Sequence, residues 1–160
     1  MFDLNELIEK LKNKAKDIEY ELKVELPKVI REAVAQGDLS ENAEYESAKN
    51  RQSVLMGRLG QINSRIDELS SAGLSSIPKD KVGFGSTVFV TNLDTGEQRE
   101  YVLVPPEALD DNPNYISVMS PVARGLLGAY PGDEVVITIP KGEFEFRIDK
   151  VITCFGQVLE

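Results

Sequence analysis

"GDLSENAEYESAKNRQ", residues 37–52, interrupts two long helical patterns and decides how they are joined. Gly37 suits the left-handed position that closes a helix. Asp38 and Glu41 stand three residues apart, which fits an N-cap and the third residue of a new helix, an Asp-x-x-Glu variant of the capping box. Before the break, Leu4, Ile8, Leu11, Ala15, Ile18, Leu22 and Val29 recur at steps of four and three, with Glu25 breaking the series. After it the pattern resumes with Ala48, Leu55, Leu59, Ile62, Ile66 and Leu69. Such a 3.5-residue period is a coiled-coil seam. Two seams joined by a short break predict an antiparallel helical hairpin. Each arm of roughly 30 residues spans about 45 Å at 1.5 Å per residue. Pro27 lacks a backbone donor and should kink the first arm.

The second half changes period. "GLSSIPKDKVGFGS" (73–86) has linker composition, and beyond it come short alternating or β-branched runs: "STVFVT", "REYVLV", "YISVM", "EVVITI" and "EFEFRIDKVI". Turn residues such as Asp94-Thr95-Gly96 and Pro140-Lys141-Gly142 separate them. The expected fold class is therefore α+β, a coiled-coil hairpin followed by a small, mainly antiparallel sheet domain. The boundaries read as 1–74 for the hairpin, with an acidic tip near 37–45, 75–85 for the linker and 86–160 for the sheet domain. One short helix should start with Ser120 as N-cap and Pro121 at its first position, where a missing N–H costs nothing.

Composition narrows the chemistry. The 160 residues carry a net charge of −9, and acidic residues outnumber basic ones both in 1–72 (14 against 11) and in the remainder (13 against 7). Such a chain gains little from counterion release on duplex DNA. The absence of histidine excludes a Ser-His-Asp triad, a histidine base and His-ligated zinc. A single cysteine, Cys154, excludes an internal disulfide; it lies in the last strand pattern and reads as a small buried hydrophobe. Carboxylates, lysines, arginines and hydroxyls remain, a set that favours hard cations such as Mg²⁺ if a metal is used. The N-terminus lacks an apolar signal-peptide region, and no apolar run approaches the roughly 20 residues of a membrane helix. A soluble, cytoplasmic protein is expected.

On spacing alone, the tip acids support two accounts. Capping explains both, since carboxylates at a helix N-terminus are favoured by roughly 0.3–1 kcal/mol each. Capping does not, however, require the further charge of Glu44 and Glu46, nor the apolar Leu39 between the acids. A pair of carboxylates at the end of a thin rod could also present oxygens to Mg²⁺. Because Mg²⁺ keeps several waters and takes one or two carboxylates, the pair suits it as a supplement to ligands on another molecule.

Two motifs tilt this balance. "GDLSENAEYESAK" closely resembles the signature G-D-L-x-E-N-A-E-Y-x-x-A of the bacterial transcript-cleavage factors of the GreA/GreB family. "SPVARGLLGAYPGDEVVI" (120–137) resembles that family's S-P-x-A-R-x-L-x-G motif with its Gly-Asp turn, and "VGFGSTVFV" (82–90) fits the link between halves. The resemblance covers nearly the whole chain, with the GreA branch the closer. It implies that the sheet domain is FKBP-like and docks at the rim of the secondary channel of bacterial RNA polymerase, while the hairpin enters the channel. By matching positions, Asp38 and Glu41 are the acids that help hold a second Mg²⁺ and position the attacking water when the RNA 3′ end is backtracked. The protein would then bind no metal alone and be no enzyme itself, activating a two-metal hydrolysis whose other ligands belong to the polymerase. Lys49 and Arg51, and more weakly Arg31, match or neighbour the basic patch that contacts the extruded RNA. Pro121 and Arg124 fall in the docking motif. A monomer without membrane association is implied.

Three rivals make different demands. A relative that occludes the channel and inhibits transcription without cleavage should have altered tip acids, whereas both are kept here. A coiled-coil chaperone should have an apolar tip. A prolyl isomerase should have an aromatic-lined pocket, while most aromatic residues of the second half alternate as core positions do. Two features depart from the family pattern: the N-terminus starts directly in a helical pattern, and the basic patch is sparse, which favours short backtracks.

Overall fold

The architecture comes from a computed structural model that describes residues 2–37, 39–71 and 76–160, with residues 36 and 39–42 described by backbone alone. The packing of the chain divides it into two units, Ile8–Ala72 and Met1–Leu7 with Gly73–Glu160.

The first unit, Ile8–Ala72, is the helical hairpin without the first four residues of its opening helix. Its first arm contains α1 (Leu4–Tyr20), a π-helical turn (Glu21–Glu25) and α2 (Leu26–Gln36); its second is α3 (Leu39–Ser71), 33 residues and about 50 Å long. Asp3 caps α1, its Oδ1 accepting from the N–H groups of Asn5 at 2.9 Å and Glu6 at 3.3 Å. Gly37 ends α2 in the left-handed conformation, φ 72°. The seam of α3 follows the predicted pattern, with Ala48, Leu55 and Leu69 buried and Leu59, Ile62 and Ile66 half-buried.

The first arm departs from the expectation in two ways. Where a kink was expected at Pro27, the chain makes a wide turn just before it, and Leu26 N–H reaches back five residues to Glu21 O. Proline offers no N–H and crowds the carbonyl four residues earlier, so a widened turn relieves both problems at once. That turn takes up one extra residue and moves the apolar stripe on by one. Leu26, Ile30 and Ala33 face the seam, and Val29 is left 43% exposed. Leu26 packs in a cluster with Ala48 and Leu55, flanked by Ile18, Leu22 and Ile30. Glu25, which would have interrupted the seam, is exposed.

The second unit is a curled sheet of β1 (Thr87–Asn92), β2 (Gln98–Val104), β3 (Tyr115–Ser117), β4 (Glu134–Ile139), β5 (Gly142–Ile152) and β6 (Val158–Leu159). The order is β3-β2-β1-β5-β4, with β6 on the far end of β5. All pairs are antiparallel except β2–β3, which run parallel across a 3₁₀ turn at Pro106–Asp111. The sheet is mainly antiparallel, as expected, with one parallel pair contributed by the three-residue β3. A bulge in β5 opposite Phe89/Val90 leaves Asp149 as the extra residue. There Asp149 accepts from Thr91 Oγ1 and, at 2.8 Å, from Arg147 Nε.

The core of this unit contains Val88, Val90, Leu103, Ile137, Ile148 and Val151, closed by Ala123 and Leu126 of α4 (Pro121–Leu126). Val82, in the stretch of linker composition, belongs to the same core and exchanges backbone hydrogen bonds with Gly128 and Ala129. Phe2 is also buried in this unit, edge-on to Phe84 and Tyr115 at 6.0 and 6.1 Å between ring centroids. Cys154 lies in the turn between β5 and β6, not in a strand, and is half-buried beside a cavity of about 340 Å³ that Phe2, Phe84 and Phe155 help to line. Burial pushes its thiol pKa up. Among the described residues no helix is long and apolar enough to cross a membrane.

Candidate functional site

The candidate tip is the closed end of the hairpin. Gly37 supplies the positive φ that turns the chain, and nothing lies within 4 Å of where its β-carbon would stand. Since α3 begins at Leu39, Glu41 is its third residue, the capping-box position. Asp38 lies outside the described residues, and Glu41 is described by backbone alone, so the two carboxylates have no geometry here. The next turn of α3 is acidic and open, with Glu44 and Glu46 exposed and Tyr45 half-buried. Among the described residues no cluster of three or more acidic or cysteine side chains could hold a metal ion.

The three basic candidates do not form one patch. Lys49 is exposed, lies 5.9 Å from the Tyr45 ring centre and is 3.5 Å from Gln52 Oε1. Arg51 lies about 200° around α3 from Lys49 at roughly 100° per residue, on the opposite flank of the seam. Its guanidinium reaches across to the first arm, where Nε and Nη2 donate to the two carboxylate oxygens of Glu21 at 3.4 and 3.3 Å. Arg31 is exposed on α2, outside the Leu26/Ile30/Ala33 stripe. Sequence reading missed Glu21. Glu21 and Arg51 stand 16 and 14 residues from Gly37, so a mirror about the turn points to the pair.

The second motif folds as expected. Ser120 caps α4, its Oγ accepting from Ala123 N–H at 3.2 Å, and Pro121 is the first helical residue. Ala123 and Leu126 point into the core, leaving Pro121 and Arg124 exposed together, three residues apart on one face, with Met119 exposed beside them. Gly125 lets the helix lie against β4: a β-carbon there would stand 2.7 Å from Ile137 Cγ1.

The sheet unit also contains the aromatic-lined cleft that sequence alternation had argued against. It encloses about 440 Å³ and is lined by Tyr101, Phe144 and Phe146 with Ile137, Ile139 and Val122. The rings contact one another, Tyr101 edge-on to Phe146 and Phe144 stacked on it, both at 6.4 Å. Glu97 and Arg99, also part of its lining, are ion-paired at 3.2 Å.

Comparison with known proteins covers both units. Residues 5–70 match the family model for the N-terminal domain of transcription elongation factors, and residues 77–153 match that for the C-terminal domain of GreA/GreB. Transcription elongation factor GreA of Nitratidesulfovibrio vulgaris (strain Miyazaki F) is 44% identical over 81% of this chain and 83% of its own. Its counterpart in Clostridium kluyveri is 38% identical over 88% and 89%. Among solved structures, GreA factor homolog 1 of Thermus thermophilus aligns over 90% of this chain and 93% of its own, at 26% identity and a TM-score of 0.39. With family models matching residues 5–70 and 77–153 and relatives up to 45% identical over most of the chain, it belongs to the GreA/GreB family of transcription elongation factors.

Proposed function

We propose that this elongation factor docks on bacterial RNA polymerase through its sheet unit, inserts the hairpin into the secondary channel and stimulates the polymerase's own endonucleolytic cleavage of backtracked RNA. Arrested complexes would thereby be rescued. The observation that carries this reading is the position of the acidic motif: it lies at the turn of the hairpin, with Gly37 left-handed and Glu41 in the first turn of α3.

In this reading the factor is not itself an enzyme. Asp38 and Glu41 are hard oxygen donors, too few to complete a Mg²⁺ shell but suited to share one with the polymerase's carboxylates. When bound, the ion supplies Lewis-acid activation of water for phosphodiester hydrolysis, consistent with a chain that has no histidine to act as base. Lys49, one side of the seam and two turns behind Glu41, is the basic residue best able to meet the phosphates of the extruded 3′ segment. Arg31 is a second, more distant cation. Pro121 and Arg124 form the docking face, held in place by Ala123 and Leu126 beneath them. The factor acts as a cytoplasmic monomer.

The test is a cleavage assay on backtracked elongation complexes, with polymerase from the same source and Mg²⁺. The factor should release a short 3′ RNA fragment and restore elongation. Competition for the channel without release would overturn this reading and leave a factor that only occludes.

A further inference from the structure

We propose that Arg51 is a positioning residue: paired with Glu21, it clamps the π turn of the first arm to α3 and so holds the distal hairpin in register. Its consequence for the tip rests on the transcript-cleavage reading; the clamp itself does not.

Three observations converge on it. The first is the geometry. Both carboxylate oxygens of Glu21 accept from the Arg51 fork, at 3.3 and 3.4 Å, across 30 residues of sequence. A two-pronged contact of this kind fixes direction as well as distance. The guanidinium therefore has a partner within the hairpin, on the flank away from Lys49.

The second is where the pair sits. Glu21 opens the π turn, and its carbonyl accepts the Leu26 N–H five residues on. The residue tied to α3 is thus the one from which the wide turn departs. Beyond that point the stripe on the first arm is Leu26, Ile30 and Ala33, of which Leu26 and Ile30 pack with Ala48 and Leu55 of α3. The fastening therefore lies beside the point at which this stripe begins.

The third is the register itself. With an unwidened helix, the step after Leu22 would bring Glu25 and then Val29 to the seam, placing a carboxylate between the arms. With the extra residue taken up in the turn, Leu26, Ile30 and Ala33 arrive there instead. Two registers one residue apart therefore compete for the distal arm. Glu21 and Arg51, fixed immediately before the point of divergence, hold the turn where the apolar register is continued.

Charge exchange tests this in the full-length protein, with Glu21→Arg, Arg51→Glu and the double exchange. Amide hydrogen exchange in α2 should be about two- to five-fold faster in each single variant, the range expected for a partly exposed ion pair, and restored in the double. In cleavage titrations the maximal rate should fall in each single variant with the half-saturating concentration unchanged, and recover in the double. Unchanged α2 exchange in the single variants overturns the clamp. So does a cleavage defect confined to Arg51→Glu and left unrepaired by the exchange, which would assign Arg51 to RNA. Should the wild type stimulate no cleavage, α2 exchange alone decides the clamp and the failure falls on the transcript-cleavage reading.

Discussion

Gly125 of α4 and Ile137 of β4 are in direct apposition: a β-carbon at Gly125 would lie 2.7 Å from Ile137 Cγ1, and Ile137 is buried. Helix α4 can lie on the sheet because position 125 has no side chain. Gly125→Ala should therefore cost about 1–3 kcal/mol of stability, as overpacking does where neighbours cannot move. Chemical denaturation measures it, and an unchanged midpoint would mean that α4 shifts freely on β4.

Arg124 is exposed beside Pro121, so its loss should spare the fold and be felt in docking. Arg124→Ala should keep stability within about 0.5 kcal/mol and weaken polymerase binding about ten-fold, equivalent to about 1.4 kcal/mol. A binding titration decides, and unchanged affinity would remove Arg124 from the docking face.

The register of the first arm can be tested at two neighbouring positions. Leu26 is 7% exposed and Val29 43% exposed. Leu26→Ala should cost about 2–5 kcal/mol, whereas Val29→Lys should stay within about 0.5 kcal/mol. Urea unfolding of both variants measures this; the opposite ranking would mean that the seam runs through Val29 with no widened turn.

Asp149 gives a pH dependence with a defined sign. Burial opposes its ionisation, but hydrogen bonds from Thr91 and Arg147, with the Arg147 charge, outweigh that and hold its pKa below the usual value. A carboxyl lowered on folding contributes stability above its unfolded pKa of about 3.9 and loses it as pH falls toward the folded value. Asp149→Asn should cost about 1 kcal/mol at neutral pH and flatten the acid limb below about pH 4. Unfolding midpoints at neutral and acid pH measure this, and identical acid limbs in both proteins would contradict it.

Where the backbone kept a regular period, the sequence was enough. The stripe of α3 from Ala48 to Leu69, the turn at Gly37, the five longer strand runs and the Ser120 cap all appear in local pattern, because each is set by neighbours within a turn or a pleat. In the first arm, counting at 3.5 residues fails after Leu22 because it assumes a uniform helix, and the π turn before Pro27 consumes one residue outside that count. The parallel β2–β3 pair and the two-residue β6 have no local signature, since partners distant in sequence define them. Around Cys154 the apolar run continues past Ile152 and so mimics a strand, whereas β5 ends there and the chain turns. In the second motif, residue types were enough to place the helix start at Ser120 and Pro121. The Glu21–Arg51 pair becomes visible only once the two arms are laid side by side.

Whether the tip acids complete a nuclease site on the polymerase is decided by Asp38→Asn/Glu41→Gln. Maximal cleavage rate and polymerase affinity would be measured for this variant and the wild type on the same backtracked complexes, with Mg²⁺. Stimulated cleavage should fall at least about a hundred-fold, the scale of a lost catalytic contact, while affinity and the unfolding midpoint change little. Equal losses of affinity and cleavage, or cleavage at the wild-type rate, would contradict it and leave the two acids as the cap of α3.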